Sequence, residues 1–155
     1  MIPALVLRRA PVARPSGQII WRLDSVERRK PRILLIEDDM AIALMYQLQL
    51  VGDGYDVELA TDGVTGLRQV QDATPDLVLL DIRLPRLPGL DVLRAISLDV
   101  RLAGVPVVIL SNYGEPAMVK EGLALGARDY LIKSQTTPVQ LSTLLREHLP
   151  PEMSY

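Results

Sequence analysis

Residues 76–81 read DLVLLD, and this stretch decides the fold. A run of four apolar residues between two aspartates is typical of a short strand that is buried on both faces. The same pattern recurs at residues 33–39 (ILLIEDD) and at residues 105–111 (VPVVILS). Strands of this kind belong to parallel sheets whose two faces are both covered by helices.

The segments between these strands have helical spacing. Five helices are predicted, at residues 40–51, 62–72, about 89–96, 116–125 and 138–149. Two further strands are predicted at residues 55–60 and 129–132. Five strand–helix pairs in strict alternation predict an α/β fold, a five-stranded parallel sheet with helices on both faces in (βα)5, flavodoxin-like order.

The N-terminal segment differs from this pattern. Residues 1–32 contain eight arginines and lysines against two acids, a balance of +6, and the remainder has a balance of −8. Pro3, Pro11 and Pro15 interrupt any long helix. We expect residues 1–30 to be a disordered basic extension, residues 31–150 to be the folded domain, and residues 151–155 to be a tail too short for an output module.

Composition excludes several kinds of chemistry. The chain has no cysteine, and its single histidine is His148, so disulfides, thiolate sites and a Ser/His/Asp triad are not expected. No apolar run reaches the roughly 18 residues that a membrane-spanning helix needs. We therefore expect a cytoplasmic protein without a membrane span. The acidic body also argues against direct binding of nucleic acid, since carboxylates repel phosphates.

Polar residues follow four of the predicted strands at their carboxyl ends, where ligands bind in open α/β sheets. These residues are Glu37, Asp38, Asp39, Asp81, Ser111 and Lys133. Neighbouring carboxylates repel one another, and a hard cation with oxygen ligands, such as Mg²⁺, relieves that repulsion. Taken singly, each residue fits a helix N-terminus, a turn or a surface charge. Their occurrence at four strand ends favours a site.

The runs ILLIEDD, DLVLLDIRLPRLPGLDVL, VPVVILS and GARDYLIK resemble the receiver domain of two-component response regulators, over residues 31–149. The resemblance implies a stand-alone phosphoacceptor switch in which Asp81 takes a phosphoryl group from a sensor histidine kinase or a histidine phosphotransfer protein. It also implies a Mg²⁺ site, a phosphoryl-binding pair and a switch residue. The implied metal ligands are Glu37, Asp38, Asp81 and the Arg83 backbone carbonyl; the implied phosphoryl-binding residues are Ser111 and Lys133, with Tyr130 as the aromatic switch.

Some positions depart from the family pattern. Ser134 stands where the family usually has proline, and Asn112 stands where it favours alanine or glycine. Arg83 and Tyr113 lie two residues after Asp81 and Ser111, beside the path that the family implies for hydrolytic water. We expect Arg83, Asn112 and Tyr113 to tune the lifetime of the phosphoryl group, with the bulk of Arg83 and Tyr113 slowing its loss. Tyr130 also fits a half-buried aromatic residue of a strand.

Three other functions compete with this one. A haloacid-dehalogenase-like phosphatase has a second aspartate two residues after the nucleophile, where this chain has Arg83, so we do not expect an enzyme that turns over a separate substrate. A flavodoxin-like FMN site needs a glycine- and hydroxyl-rich loop, whereas residues 37–39 are acidic. A receiver-like adaptor that signals by protein contacts without phosphorylation stays open. In either receiver role the downstream target is a protein that the sequence does not identify.

Overall fold

The computed structural model describes residues 9–13, 19–23 and 29–150. The first described elements are two short strands, β1 (Arg9–Ala13) and β2 (Ile19–Leu23), which pair antiparallel with Pro11 opposite Trp21. The sequence predicts no strand in residues 1–30, so this pairing differs from the expected disorder. The rest of that segment and the tail at 151–155 lie outside the described residues, and the domain boundaries stay a prediction.

A five-stranded parallel sheet forms the centre of the molecule. Its strands, in the order β4-β3-β5-β6-β7, are β3 (Arg32–Ile36), β4 (Asp56–Ala60), β5 (Leu77–Leu80), β6 (Val107–Ser111) and β7 (Asp129–Ile132). The helices are α1 (Met40–Gly52), α2 (Gly63–Ala73), α3 (Gly89–Leu98), α4 (Pro116–Ala124) and α5 (Pro138–His148). The predicted α/β fold is confirmed.

Alternate residues of the buried strands enter two separate cores. Ile33 and Leu35 of β3 pack in one core with residues of α1 and α5, such as Tyr46 and Leu141. Leu34 packs in the other core, with residues of α2 and α3. This alternation follows from the two-residue period of a strand, and it explains why the strands read as continuous apolar runs.

The ends of the elements follow local chemistry. Strand β6 begins at Val107 rather than at the predicted residue 105, because Pro106 has no N–H to donate. The Pro106 carbonyl instead accepts a hydrogen bond from the Val78 N–H at 2.9 Å. Asp62 caps α2 by accepting from the Thr65 N–H at 2.8 Å, as the sequence predicts. Among the described residues, no helix has the length and apolar character that a membrane span requires.

Candidate functional site

Four adjacent strands deliver the predicted site residues to one edge of the sheet. Glu37 directly follows β3, Asp81 directly follows β5, and Lys133 directly follows β7, while Ser111 is the last residue of β6. Because all these strands are parallel, their carboxyl ends lie along the same edge. The structure therefore brings together residues that are up to 96 positions apart in the sequence.

Three carboxylates form the centre of the site. Glu37, Asp38 and Asp81 each offer a carboxylate oxygen, and these oxygens lie within 4.8 Å of one another. Glu37 and Asp81 are buried, with 2% and 7% of their surface exposed, whereas Asp38 is exposed to solvent. An all-oxygen ligand set that is open on one side suits Mg²⁺, which keeps several water ligands. The residues present thus fit a magnesium ion.

Lys133 supplies the positive charge of the site. Its Nζ forms an ion pair with Glu37 and a hydrogen bond of 3.2 Å to Asp81 Oδ2. Burial alone lowers the pKa of Lys133, but the hydrogen bond that its amine donates to Glu37 and the charge of Asp81 outweigh burial, so the net pKa is raised. The amine is therefore charged at neutral pH and compensates part of the carboxylate charge.

Burial is the largest influence on the pKa of the Glu37 carboxyl group. Desolvation raises the pKa of Glu37, although the hydrogen bond from Lys133 and the Asp39 N–H oppose that rise. The Asp39 N–H donates to Glu37 Oε1 at 3.1 Å. A carboxylate held so far from water needs positive charge nearby, which Lys133 provides and which a divalent cation also supplies.

Asp39, the third acid of the cluster in the sequence, has a structural role. Its Oδ1 accepts hydrogen bonds from the Ala41 and Ile42 N–H groups at 3.0 and 3.2 Å, so Asp39 is the N-cap of α1. The two adjacent acids therefore have different roles: Asp38 belongs to the carboxylate cluster, and Asp39 caps the N-terminus of α1.

Tyr113 connects the loop after β6 to its surroundings. Its N–H donates to the Ser111 hydroxyl at 3.1 Å, and its carbonyl accepts from the Tyr130 hydroxyl at 2.6 Å. Ser111 is fully buried, and burial raises the pKa of Tyr130. A movement of the Ser111 loop therefore changes the hydrogen bond that holds the Tyr130 side chain.

The Arg83 guanidinium lies over the Tyr113 ring, with 3.9 Å between Cζ and the ring centroid. The sequence singles out both residues by their positions, but it gives no sign that they touch each other. The Arg83 N–H also lies 3.4 Å from Asp81 Oδ1. Asn112 and Ser134 are exposed, and the Arg83 carbonyl as a metal ligand stays a prediction.

Gly89 is a residue that the sequence analysis does not assign to the site. A Cβ atom at this position would lie 2.1 Å from the Asp81 carbonyl oxygen and 2.7 Å from the Ile82 Cα. The Gly89 N–H donates to the Ile82 carbonyl at 2.8 Å. Only glycine allows α3 to begin so close to the backbone of Asp81, and the Pro88-Gly89 pair is the signal for this feature.

Comparison with known proteins assigns the family. The response regulator receiver domain family matches residues 33–146. The chain belongs to this family, and the predicted resemblance is confirmed. Receiver domains are the phosphoacceptor parts of two-component systems.

The curated relatives are longer regulators. The chain is 39% identical over 108 residues to the DNA-binding response regulator MtrA of Mycobacterium tuberculosis, covering 70% of this chain and 46% of that protein. It is 40% identical over 103 residues to the DNA-binding dual master transcriptional regulator RpaA of Synechocystis, covering 66% of this chain and 43% of that protein. The chain thus spans less than half the length of these relatives, and the stand-alone architecture stays a prediction. The expected absence of direct nucleic-acid binding is not borne out, because both relatives are named as DNA-binding.

Solved structures share the fold. A CheY-like receiver domain protein from Methanospirillum hungatei matches with a TM-score of 0.73 and 28% identity, covering 79% of this chain and 96% of that one. A chemotaxis response regulator of Vibrio cholerae matches with a TM-score of 0.72 and 28% identity, covering 77% and 99%. These structures are similar to the central sheet and its helices.

Proposed function

We propose that the chain is a phosphoacceptor switch that carries a phosphoryl group on Asp81. The observation that supports this best is the arrangement of charge around Asp81. Its buried carboxylate lies beside the Lys133 amine and within 4.8 Å of two further carboxylates. A nucleophilic carboxylate between a fixed cation and a divalent-cation site is what transfer of a phosphoryl group requires.

The donor in this proposal is a phosphohistidine of a sensor histidine kinase or of a histidine phosphotransfer protein. An Asp81 carboxylate oxygen forms the new bond to phosphorus while the phosphorus–nitrogen bond breaks. The imidazole leaves with that electron pair and takes up a proton. Glu37, Asp38 and Asp81 would hold a Mg²⁺ ion, which would supply positive charge to offset the negative charge of the phosphoryl oxygens.

Lys133 has two tasks in this transfer. Before it, the amine pairs with the Glu37 and Asp81 carboxylates in a buried position. After it, Asp81 is an acyl phosphate with new acceptor oxygens, and the amine is free to pair with one of them. The phosphoryl group therefore replaces a contact that the unphosphorylated site already has.

Ser111 and Tyr130 then change position in response to phosphorylation of Asp81. The Ser111 hydroxyl donates to a phosphoryl oxygen, and this movement carries Tyr113, whose N–H is bonded to Ser111. Since Tyr130 donates to the Tyr113 carbonyl, the position of Tyr130 follows that of the loop. The altered surface is the one that a downstream protein recognises. Residence in the cytoplasm stays a prediction.

A phosphorylation experiment tests this proposal. The protein is incubated with a small acyl phosphate donor with and without Mg²⁺, and its intact mass is measured. We expect a gain of one phosphoryl group on the wild type only when Mg²⁺ is present, and no gain on Asp81→Asn. Asp39→Asn is the matched control, because it alters a neighbouring carboxylate that caps a helix, and we expect it to be phosphorylated normally. No mass gain on the wild type with any donor, a cognate kinase included, would favour the adaptor that acts without phosphorylation.

A further inference from the structure

Tyr46 of helix α1 is a buried polar residue that the proposed phosphoryl chemistry does not use. Only 1% of its surface is exposed, and its ring packs in the core that the sheet shares with α1 and α5. A tyrosine hydroxyl buried in this way needs a hydrogen-bond partner. The Tyr46 hydroxyl donates to the Thr136 carbonyl at 3.3 Å. This partner lies three residues after Lys133, at the edge of the sheet that carries the site.

Thr136 ends the short turn that carries Lys133. The turn is a 3-10 helix (Lys133–Gln135) between β7 and α5, and the Thr136 N–H closes it by donating to the Lys133 carbonyl at 3.3 Å. Thr136 is buried, whereas the two residues before it are exposed to solvent. Beyond Lys133, the turn is therefore fixed to the interior of the domain at Thr136.

Two hydrogen bonds in series connect Tyr46 to the backbone of Lys133. The first joins the Tyr46 hydroxyl to the Thr136 carbonyl, and the second joins the Thr136 N–H to the Lys133 carbonyl. The Lys133 amine pairs with Glu37 and lies 3.2 Å from Asp81 Oδ2. Since 3.2 Å is the upper end of the usual range for a hydrogen bond from nitrogen to oxygen, a small displacement of the turn breaks the contact with Asp81.

The charges of the site act on the Tyr46 hydroxyl. Burial is the largest influence and raises the pKa of Tyr46, while the positive charge of Lys133 opposes that rise and the negative charge of Glu37 adds to it. The hydroxyl therefore lies close to both charged groups. Its hydrogen bond goes to the backbone of the turn, so its effect on the amine is indirect.

Helix α1 connects the two sides of the site. Glu37 and Asp38 directly precede the helix cap, Asp39, and Tyr46 lies about two turns further along the same helix. The helix that begins at the carboxylates after β3 thus also holds the lysine turn after β7.

We propose that Tyr46 is a positioning residue for phosphoryl transfer: by holding the Thr136 carbonyl, it fixes the turn that places the Lys133 amine beside Asp81. The role in transfer rests on the proposed function, whereas the placement of the amine rests on the fold alone. Loss of the hydroxyl leaves the Thr136 carbonyl without its partner, and the turn shifts to satisfy that carbonyl elsewhere.

Tyr46→Phe removes the hydroxyl and keeps the ring, and Tyr55→Phe is the matched control. Tyr55 is 5% exposed in the same core, and among the described residues its hydroxyl makes no hydrogen bond with the turn. The full-length protein is treated briefly with acetic anhydride in the presence of a chelator, and acetylation of Lys133 relative to the exposed Lys120 is measured by mass spectrometry. Circular dichroism and the thermal midpoint show that both variants remain folded.

We expect slow acetylation of Lys133 in the wild type, because its amine is buried and paired with two carboxylates. Tyr46→Phe should raise the ratio of Lys133 to Lys120 acetylation by about two- to tenfold, the range that follows from the loss of one hydrogen bond. Tyr55→Phe should leave the ratio unchanged. An unchanged ratio in Tyr46→Phe, or an equal rise in both variants, would overturn the proposal.

The rate of phosphorylation is then measured with Mg²⁺ and a small acyl phosphate donor. We expect Tyr46→Phe to be slower than the wild type by about two- to tenfold and Tyr55→Phe to be unchanged. A slower rate with an unchanged acetylation ratio would overturn the proposal, because Tyr46 would then act without moving Lys133, and so would an unchanged rate beside a raised ratio. If the wild type gains no phosphoryl group while the ratio still rises in Tyr46→Phe, the proposed function fails and the placement of the amine by Tyr46 stands.

Discussion

Lys133→Met removes the amine of the site while keeping an unbranched side chain of similar length. The Lys133 side chain is 7% exposed, and its Nζ contacts both Glu37 and Asp81. Without the amine, two buried carboxylates face each other with no positive charge in the metal-free protein. Folding then requires that one of them take up a proton, and Glu37 is the better candidate because burial already raises its pKa.

The free-energy cost of protonating Glu37 sets the size of the expected stability loss. An ordinary glutamate has a pKa of about 4.3, so keeping Glu37 neutral at pH 7 costs up to about 3.7 kcal/mol at about 1.36 kcal/mol per pH unit. At pH 5 the same cost is only about 1 kcal/mol. A group whose pKa is raised on folding contributes stability below its unfolded pKa and loses it as the pH rises. The penalty of Lys133→Met therefore grows between about pH 4.3 and pH 7.

Urea denaturation measures this penalty as the difference in unfolding free energy between variant and wild type. We expect a loss of about 3 to 4 kcal/mol at pH 7 and about 1 kcal/mol at pH 5, both with a chelator present. Lys120→Met is the control, because Lys120 is exposed, and we expect a change within about 0.5 kcal/mol. An equal loss at the two pH values would refute the electrostatic account and would attribute the effect to packing.

Three further outcomes follow from the same site. Arg83→Ala and Tyr113→Ala should each shorten the half-life of the phosphorylated protein by about two- to fivefold, which corresponds to losing a cation–π contact of about 0.5–1 kcal/mol that shields the phosphoryl group. An unchanged half-life in both variants would contradict the shielding. Gly89→Ala should lower the unfolding free energy by about 1–3 kcal/mol, since the added Cβ meets backbone atoms of Asp81 and Ile82, whereas Gly104→Ala, with no atom within 4 Å, should lower it far less. Equal losses in the two variants would argue against the close approach of α3 to the Asp81 backbone. Calorimetric titration should show weaker Mg²⁺ binding at pH 5 than at pH 7, because protons compete for Glu37, whose pKa is raised by burial; equal affinity would exclude Glu37 from the metal site.

The sequence predicts the central sheet well because its signals are local. Four consecutive apolar residues at 77–80 are typical of a strand that is buried on both faces, and the acid that follows marks the strand end. Because strands β3, β5, β6 and β7 are parallel, their carboxyl ends lie at one edge of the sheet. The sequence therefore predicts which residues lie near Asp81 from their positions after the strands.

Other features depend on side-chain geometry that no local pattern encodes. The stack of Arg83 on Tyr113 joins two loops that are 30 residues apart, and the sequence shows only that each residue is bulky. The division between Asp38 and Asp39 depends on which carboxylate turns back onto the α1 N–H groups. The β1–β2 pair was missed because its prolines and arginines outweigh the short apolar stretch at 19–21.

Locating the phosphoryl group on the chain tests the central claim most directly. The protein is phosphorylated in the presence of Mg²⁺, the acyl phosphate is reduced with borohydride to fix its position, and the peptides are sequenced by mass spectrometry. Reduction converts a phosphorylated aspartate into a residue with an alcohol in place of the carboxyl group. We expect this product at Asp81 alone. The same product at Asp38 or Asp39, or no product on a protein that has gained phosphoryl mass, would contradict the assignment of Asp81 as the phosphoacceptor.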